Sequence, residues 1–593
     1  SLFERIVQAL KEPGQIMFTE FALTLAGAVL VSGFVALSLS PMMSSLLLRH
    51  QTRHGWFYRV VEYGLESLNA SYRRLLRFTL TVRAAVIVGM LLVGAAAGLL
   101  FKALPSELSP IEDRGTIVAI GIAPEGSTID FTNAYATQIE SFYRDVPEIE
   151  KFFMVVGFPV VTQAISFVRL VDWENRDVSQ QDIVRALGPK LFSIPGILAF
   201  PTNPPSLGQS PIEKPVQFVL QTSAPYAELQ KAVDQFMAAV SQNPKLLNLD
   251  TDLKLNKPEL RVSVNREKAA DLGIDVETIG RTLETMLGGR QVTRFKQNGK
   301  QYDVVVQVAE VDRSSPRDLT AIYVRARSGA MVPLSNLVTV HETVAPKELN
   351  HFNKLRSATI TATLAPGYTL GEALAFLQAE AEKLPSHIVT DLAGESREYR
   401  TSTGGIYVTF LLALAFIYLV LAAQFESFID PFIIMLTVPL SIAGALLALK
   451  LTGGSLNVYS QIGLVTLVGL ITKHGILIVE FANQLQEKGM SKFDAVVEAA
   501  VLRLRPILMT TGAMVLGSIP LALATGAGAE SRQQIGWVIV GGLLVGTVFT
   551  LFVVPTAYTL LARTRKGLAH AAADAVPAVS APAVQPTHTQ AAE

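Results

Sequence analysis

Residues 458–481 read VYSQIGLVTLVGLITKHGILIVEF, an apolar stretch interrupted near its middle by one lysine, Lys473. The stretch is long enough to cross a bilayer as a helix, for which about 20 apolar residues suffice. An ammonium near the bilayer centre costs about 2.5–3.5 kcal/mol on insertion scales. A chain retains such a residue where it faces a bundle interior, pairs with carboxylates and takes part in moving charge. Lys473 is therefore a candidate proton-relay residue, and the chain a candidate transporter. A lysine that merely snorkels to an interface fits less well, because apolar or small residues flank it for several turns on each side.

Working outward, runs of spanning length lie near 18–40, 84–104, 405–424, 431–452, 457–481, 507–526 and 534–561. The first lacks the abutting basic region and small-residue cleavage site of a signal peptide. The chain begins with Ser, so its amino terminus is expected to be cut from something longer, with 1–17 as an atypical segment. Basic residues orient the spans. Arg49, Arg53, Arg59, Arg73, Arg74, Arg77 and Arg83 follow the first; Lys488, Lys492, Arg503 and Arg505 follow the fifth; Arg563, Arg565 and Lys566 follow the seventh. Alternation from an external amino terminus puts all three clusters on the cytoplasmic side, as the positive-inside rule requires. The expected order is then a span at 18–40, a cytoplasmic basic loop at 41–83, a span at 84–104, an external domain at 105–402, a five-helix bundle at 403–562 and a cytoplasmic Ala/Pro-rich tail at 563–593, read as disordered.

The formal net charge is zero, so nothing global points to nucleic acid. The absence of cysteine excludes disulfides, thiolate zinc sites and thiol nucleophiles. The histidines form no HExxH spacing, and no GxxxxGK[ST] phosphate loop or GxSxG elbow occurs. No cofactor and no enzymatic chemistry are expected.

Segment 105–402 alternates strand patterns, at 116–123, 152–158, 165–173, 216–222, 260–265, 302–309 and 357–365, with amphipathic helices at 128–144, 178–192, 225–241, 275–287 and 369–383. Strand, helix, strand, strand, helix, strand is the pattern of ferredoxin-like, or split βαβ, units. Two such units fit, the second interrupted by a strand-rich insertion near 288–350.

SPIEDRG (109–115), LVLAAQFESFIDPFIIMLTVPL (419–440), GLITKHGILIVEFANQ (469–484) and RLRPILMTTGAMVLGSIPLALATGAG (503–528) occur in this order around that domain. With them the chain resembles the carboxy-terminal part of resistance–nodulation–division (RND) multidrug efflux pumps, the hydrophobe/amphiphile type of Gram-negative inner membranes. The resemblance runs from about Phe18 to Arg563. It implies a polytopic α-helical membrane protein with a large α+β periplasmic domain of ferredoxin-like porter units. The pump would be a homotrimer in the lipid bilayer, working with a periplasmic adaptor and an outer-membrane channel to exchange amphiphilic small molecules for protons. This chain would hold the sixth to twelfth spans. The family's paired relay aspartates lie on the fourth, and no span here carries two carboxylates on one face.

By motif, Lys473 matches the family's relay lysine, Arg503 its arginine at the cytoplasmic mouth of the relay, and Thr510 a hydroxyl two turns up the same face. Phe153, Phe158 and Phe167 match aromatic positions lining the distal drug pocket, where rigid rings suit varied amphiphiles. On residue pattern alone, Arg503 reads as an inside anchor, Thr510 as a backbone-bonded core threonine and the phenylalanines as strand core. Glu480 reads as interfacial. His474 abuts Lys473 but points about 100° away, so it is not placed in the relay. The stretch NREKAADLGI (265–274) reads as scaffold of the second porter unit, with Gly273 ending a helix, and the insertion near 288–350 as the docking region. A metal exporter, or a non-transporting fragment or assembly protein of the same fold, is the alternative reading.

Overall fold

The computed structural model describes residues 13–47, 56–207, 209–210, 212–309, 315–365 and 367–564. Most of the Ala/Pro-rich tail and most of the atypical first segment lie outside the described residues.

All seven expected spans are helices long and apolar enough to cross a membrane. The first comprises α1 (Pro13–Leu37) and α2 (Leu39–Leu47). Next come α3 (Trp56–Thr81) and the spanning α4 (Arg83–Ala103). The expected basic loop is therefore largely helical. Tyr72, Leu76 and Leu80, spaced four apart, bury one face of α3 in the bundle core, and the Tyr72 hydroxyl donates to the Leu551 carbonyl at 2.6 Å.

The domain between the second and third spans contains two lobes of like topology. The first runs β1 (Thr116–Ile122), α5 (Ile129–Arg144), β2 (Ile149–Val156), β3 (Gln163–Leu170), α6 (Gln180–Phe192), β4 (Leu198–Thr202). Its strands pair antiparallel in the order β2–β3–β1–β4. Thr128 and Ser179 cap the two helices, each accepting from a first-turn amide. Ile139, Tyr143, Ile183, Leu187 and Leu191 pack over Ile117, Ala119, Val168 and Ala199 on one face of the sheet.

The second lobe is β5 (Val216–Thr222), α7 (Tyr226–Val240) and β6 (Leu246–Thr251), then an insertion, then β14 (Leu355–Leu364), α10 (Leu370–Ala381) and β15 (Val389–Leu392). Its order β6–β14–β5–β15 repeats that of the first lobe. The insertion contains β7 (Lys257–Val264), α8 (Arg266–Asp271), α9 (Val276–Leu283), the hairpin β8 (Arg290–Gln297) with β9 (Lys300–Val306), β10 (Tyr323–Arg325), β11 (Met331–Pro333), β12 (Val338–Ala345) and β13 (His351–Phe352). It therefore starts well before residue 288, because β7 leaves the lobe sheet to pair with β12. Ala269 and Ile274 of the NREKAADLGI stretch lie in the insertion's own core with Val324, Leu334 and Leu337, and Gly273 follows the end of α8 with φ +64°.

After β15 the chain enters α11 (Gly394–Phe425) without a break. The remaining bundle is α12 (Ile429–Met435), α13 (Thr437–Leu451), α14 (Val458–Glu487), α15 (Lys492–Ala522) and α16 (Ala529–Leu561). Helix α16 is the central post. A Cβ on Gly546 would lie 2.8 Å from the Ser441 Cβ and 2.9 Å from the Ile471 Cδ1, and one on Gly542 would collide with Leu467. Small residues let helices approach closely where lipid offers no hydrophobic drive to pack them.

Candidate functional site

Helix α14 starts where the Asn457 side chain accepts from the amides of Tyr459 and Ser460. Its buried stripe is Leu467, Ile471, His474 and Ile478. Lys473 lies off that stripe, on a side that no described helix covers, and is exposed. The expectation of a lysine turned into the bundle against carboxylates is not met within this chain: among the described residues Lys473 makes no ion pair. The physical reason is the packing of α14, whose apolar stripe is taken up by α12, α13, α15 and α16.

Arg503 is half-buried, about three turns into α15, which begins at Lys492. Its guanidinium carbon sits 4.4 Å from the Phe481 ring centroid, a cation–π contact, and its Nε is buried without a hydrogen-bond partner among the described residues. The Thr510 hydroxyl donates to the Ile507 carbonyl at 3.0 Å. Among the described residues no hydrogen bond or ion pair joins Lys473, Arg503 and Thr510. Glu480 is half-buried and accepts from the Gln484 amide at 3.0 Å.

Sequence reasoning missed a polar cluster beside Lys473. His474 is fully buried, with Nε2 3.2 Å from the Thr511 hydroxyl and Nδ1 3.5 Å from that of Thr547. The signal was present: His474 follows Leu467 and Ile471 at helical spacing, which puts it on the buried stripe.

Phe153 and Phe167 face each other across β2 and β3, so their rings share one side of the sheet. That side is the one opposite α5 and α6. Farther in it carries Val118, Ile120, Ile165 and Phe200, covered in part by Ile212. At the outer edge it is open: Phe153 is 65% and Phe167 38% exposed. Phe158, in the turn after β2, is 58% exposed. These phenylalanines are thus surface-facing, not the buried strand core that pattern alone suggests.

Two polar joints tie the lobes to the bundle. In SPIEDRG, Asp113 pairs with Arg176 and accepts from the Trp173 indole at 3.1 Å and the amides of Gly115 at 3.1 Å and Gln180 at 2.9 Å. Burial pushes its carboxyl up, but Arg176 and the two amides outweigh burial and hold it below the usual range. Gly115 has φ +65°, a conformation that suits glycine. Glu112 pairs with Arg114 at 2.8 Å and accepts from the Ser531 hydroxyl, while Glu530 accepts from the Asp113 amide at 3.2 Å. Both Glu530 and Ser531 lie in the first turn of α16, so the lead into β1 is fastened to that helix.

At the second joint Glu107 accepts from the Ser455 hydroxyl, and the Ser396 hydroxyl donates to the Pro215 carbonyl at 2.9 Å. Burial raises the Glu107 carboxyl above its ordinary value despite hydrogen bonds from Ser455 and Asn457. Burial, then the nearby Glu398 and Glu107 carboxylates, raises Glu395 from 4.5 to about 7. An acid raised on folding stabilises the fold most below about 4.5, and that contribution is lost as pH rises towards about 7. The melting temperature of the purified protein should therefore fall over this window, and Glu395→Gln should flatten the fall. A parallel fall in the variant would place its origin elsewhere.

The model of the AcrB/AcrD/AcrF family matches residues 10–562. The chain belongs to that family. AcrB/AcrD/AcrF proteins are RND inner-membrane transporters, and the chain is accordingly a multi-pass inner-membrane protein with an α+β domain. It is 40% identical over 560 residues to an uncharacterized transporter of Haemophilus influenzae, covering 93% of this chain and 54% of that one. It is 33% identical over 566 residues to the toluene efflux pump membrane transporter TtgB of Pseudomonas putida, covering 91% and 53%. With the multidrug export protein AcrF of Escherichia coli it shares 32% identity over 578 residues, covering 93% and 55%. The chain spans about half the length of these AcrB/AcrD/AcrF relatives.

Proposed function

We propose that this chain forms part of a proton-driven exporter of amphiphilic compounds. The observation that carries the reading is Lys473: a cation midway along a membrane span of an RND-family chain, on the open side of its helix. Its open side of α14 is the surface against which carboxylate-bearing helices from outside these 593 residues pack, completing a relay with Arg503 and Thr510. An ionised carboxylate within about 4–6 Å favours the ammonium, and protonating that carboxylate removes the attraction. One proton then becomes one helix movement.

The two joints give that movement a route. Helix α11 runs on from β15 of the second lobe, and α16 is fastened by Glu112 and Glu530 to the first. The lobes, with their matching strand orders, act as ferredoxin-like porter units, and the insertion of the second lobe is the docking region for a periplasmic adaptor and outer-membrane channel. The working unit is a homotrimer in the Gram-negative inner membrane. The open aromatic face of Phe153, Phe158 and Phe167 receives substrate. Energetically, a charge crossing 100 mV gains about 2.3 kcal/mol, whereas a tenfold solute gradient costs about 1.4 kcal/mol.

The reading is tested by following accumulation of a fluorescent amphiphile in cells carrying the intact transporter. An uncoupler should stop export. The double substitution Phe153→Ala, Phe167→Ala should weaken export of large apolar substrates about tenfold, since losing two aromatic contacts costs about 0.5–1.5 kcal/mol each beyond area. Its melting temperature should fall only modestly, because Phe153 is mostly exposed and Phe167 is partly so. Export that persists in uncoupled cells would rule the mechanism out.

A further inference from the structure

Arg83 opens the spanning helix α4 and Lys492 opens α15, and the fold brings the two together beside the end of α16. Lys492 donates from Nζ to the carbonyl of Ala562, the residue after α16, at 2.6 Å. Arg83 donates from Nε to the Leu80 carbonyl at 2.9 Å, and Leu80 shares a core cluster with Ala562 and Val496. The two cations lie within electrostatic reach of each other, and both are half-buried. A guanidinium has five N–H donors and an ammonium three. Most of the donors at this corner therefore face outward, past the two carbonyls that hold the side chains in place.

Among the described residues no carboxylate pairs with either cation. Helix α4 contains no acid, and α16 none after Glu530 at its other end. On α15 Asp494 accepts from the Ser491 hydroxyl at 2.7 Å, and Glu498 is taken by Arg73 at 3.0 Å. Two like charges held side by side repel, and an anion seated between them removes that cost. The corner also has an apolar approach. Ile87 and Leu91 continue the face of Arg83 at a spacing of four along α4, with Val88 and Leu92 beside them, and all four are exposed. Because Arg83 is the first residue of a membrane span, it sits at headgroup depth, with hydrocarbon along the turns that follow.

We propose that Arg83 and Lys492 bind the phosphate of an anionic phospholipid whose acyl chains lie along Ile87, Val88, Leu91 and Leu92. Basic corners between membrane helices suit such headgroups, and the positive-inside rule makes this the cytoplasmic leaflet. A zwitterionic lipid brings its own ammonium towards the two cations and fits less well. The bound lipid ties the feet of α4, α15 and α16 together. The site depends on the chain spanning a membrane and not on proton-driven export.

The test uses the purified intact transporter, stripped of lipid in detergent. Binding is read as lipid retained in native mass spectrometry and as a rise in melting temperature. Dioleoylphosphatidylglycerol is compared with dioleoylphosphatidylethanolamine and with inorganic phosphate. Phosphatidylglycerol should be retained in preference and should raise the melting temperature, and phosphate alone should do neither. Equal retention of the two lipids overturns the proposal. So does a rise with inorganic phosphate equal to that with phosphatidylglycerol, which would assign the corner to a free anion. Arg83→Gln and Lys492→Gln should each weaken phosphatidylglycerol binding about fivefold, and together about twenty-fivefold, the factor expected per cation at an anionic membrane surface. Arg74→Gln with Arg77→Gln is the control: these arginines are exposed on α3, and their loss should leave binding unchanged. An equal loss in the control means diffuse attraction to a basic surface and overturns the site. Should the double variant fail to fold, the single variants and the comparison of lipids on the parent still decide.

Discussion

Lys473→Ala in the intact transporter should abolish export while leaving insertion and assembly in place. The ammonium costs about 2.5–3.5 kcal/mol to hold in hydrocarbon, so alanine relieves an insertion penalty instead of creating one. The residue is exposed on the described chain, so its removal opens no cavity in the core formed by Leu467, Ile471 and Ile478. What disappears is the cation on the open side of α14. Cellular accumulation of an amphiphilic dye reads the first half of the prediction, and the elution volume of the detergent-solubilised protein the second. Unchanged export would remove the relay role. Failure to insert would mean that the lysine serves the fold and not the transport cycle.

The second large effect is expected at the SPIEDRG joint. Arg176 is 2% exposed and Asp113 10%. The guanidinium makes three separate contacts: Nη2 with Asp113, Nε to the Val171 carbonyl at 3.1 Å and Nη1 to the Val178 carbonyl at 2.7 Å. Removing one partner of a buried pair strands the other charge, at a cost of about 3–5 kcal/mol. Arg176→Ala should therefore lower the melting temperature sharply and reduce the yield of folded protein. Lysine is a poor replacement, because a single ammonium cannot reach three acceptors spread around a planar fork. Acid should act in the same direction. A carboxyl held below its usual range stabilises the fold above its unfolded value, and the benefit is lost as pH falls through the folded one. A melting temperature unaffected by Arg176→Ala would show that the first lobe keeps its seat on α16 without this ion pair.

Spans and strands were legible because both follow from local pattern. A run such as ILIVEF has to leave water, and the short apolar run TIVAIGIA, rich in isoleucine and valine and bounded by Gly115 and Pro124, selects a strand. The shortest elements escaped. Neither β4 nor β15 is long enough to show a period, and β8 is almost wholly exposed. The Asn298–Gly299 pair is the signal that could have found its hairpin: both residues have positive φ, as a two-residue turn of this kind requires. Helix α3 was hidden among arginines, and only its Tyr72, Leu76, Leu80 spacing betrays the buried face. For the candidate site, motif pointed to Lys473, Arg503, Thr510 and the phenylalanines, but no motif says which of them touch.

By itself, the order of residues determined the seven spans, the repeated strand–helix pattern of the domain between the second and third of them, and membership of a family. Each of these depends on the chemistry of neighbours along the chain: hydropathy over a bilayer's thickness, and the local pattern of apolar residues along a strand or helix. Tertiary structure alone decided that His474 and not Lys473 turns inward, that Thr511 and not Thr510 meets it, and that Glu112 and Glu530 join lobe to membrane helix. Those outcomes depend on the rotation of one helix against the next. That rotation is set by interlocking small residues such as Gly542 and Gly546, whose partners lie far away in the chain.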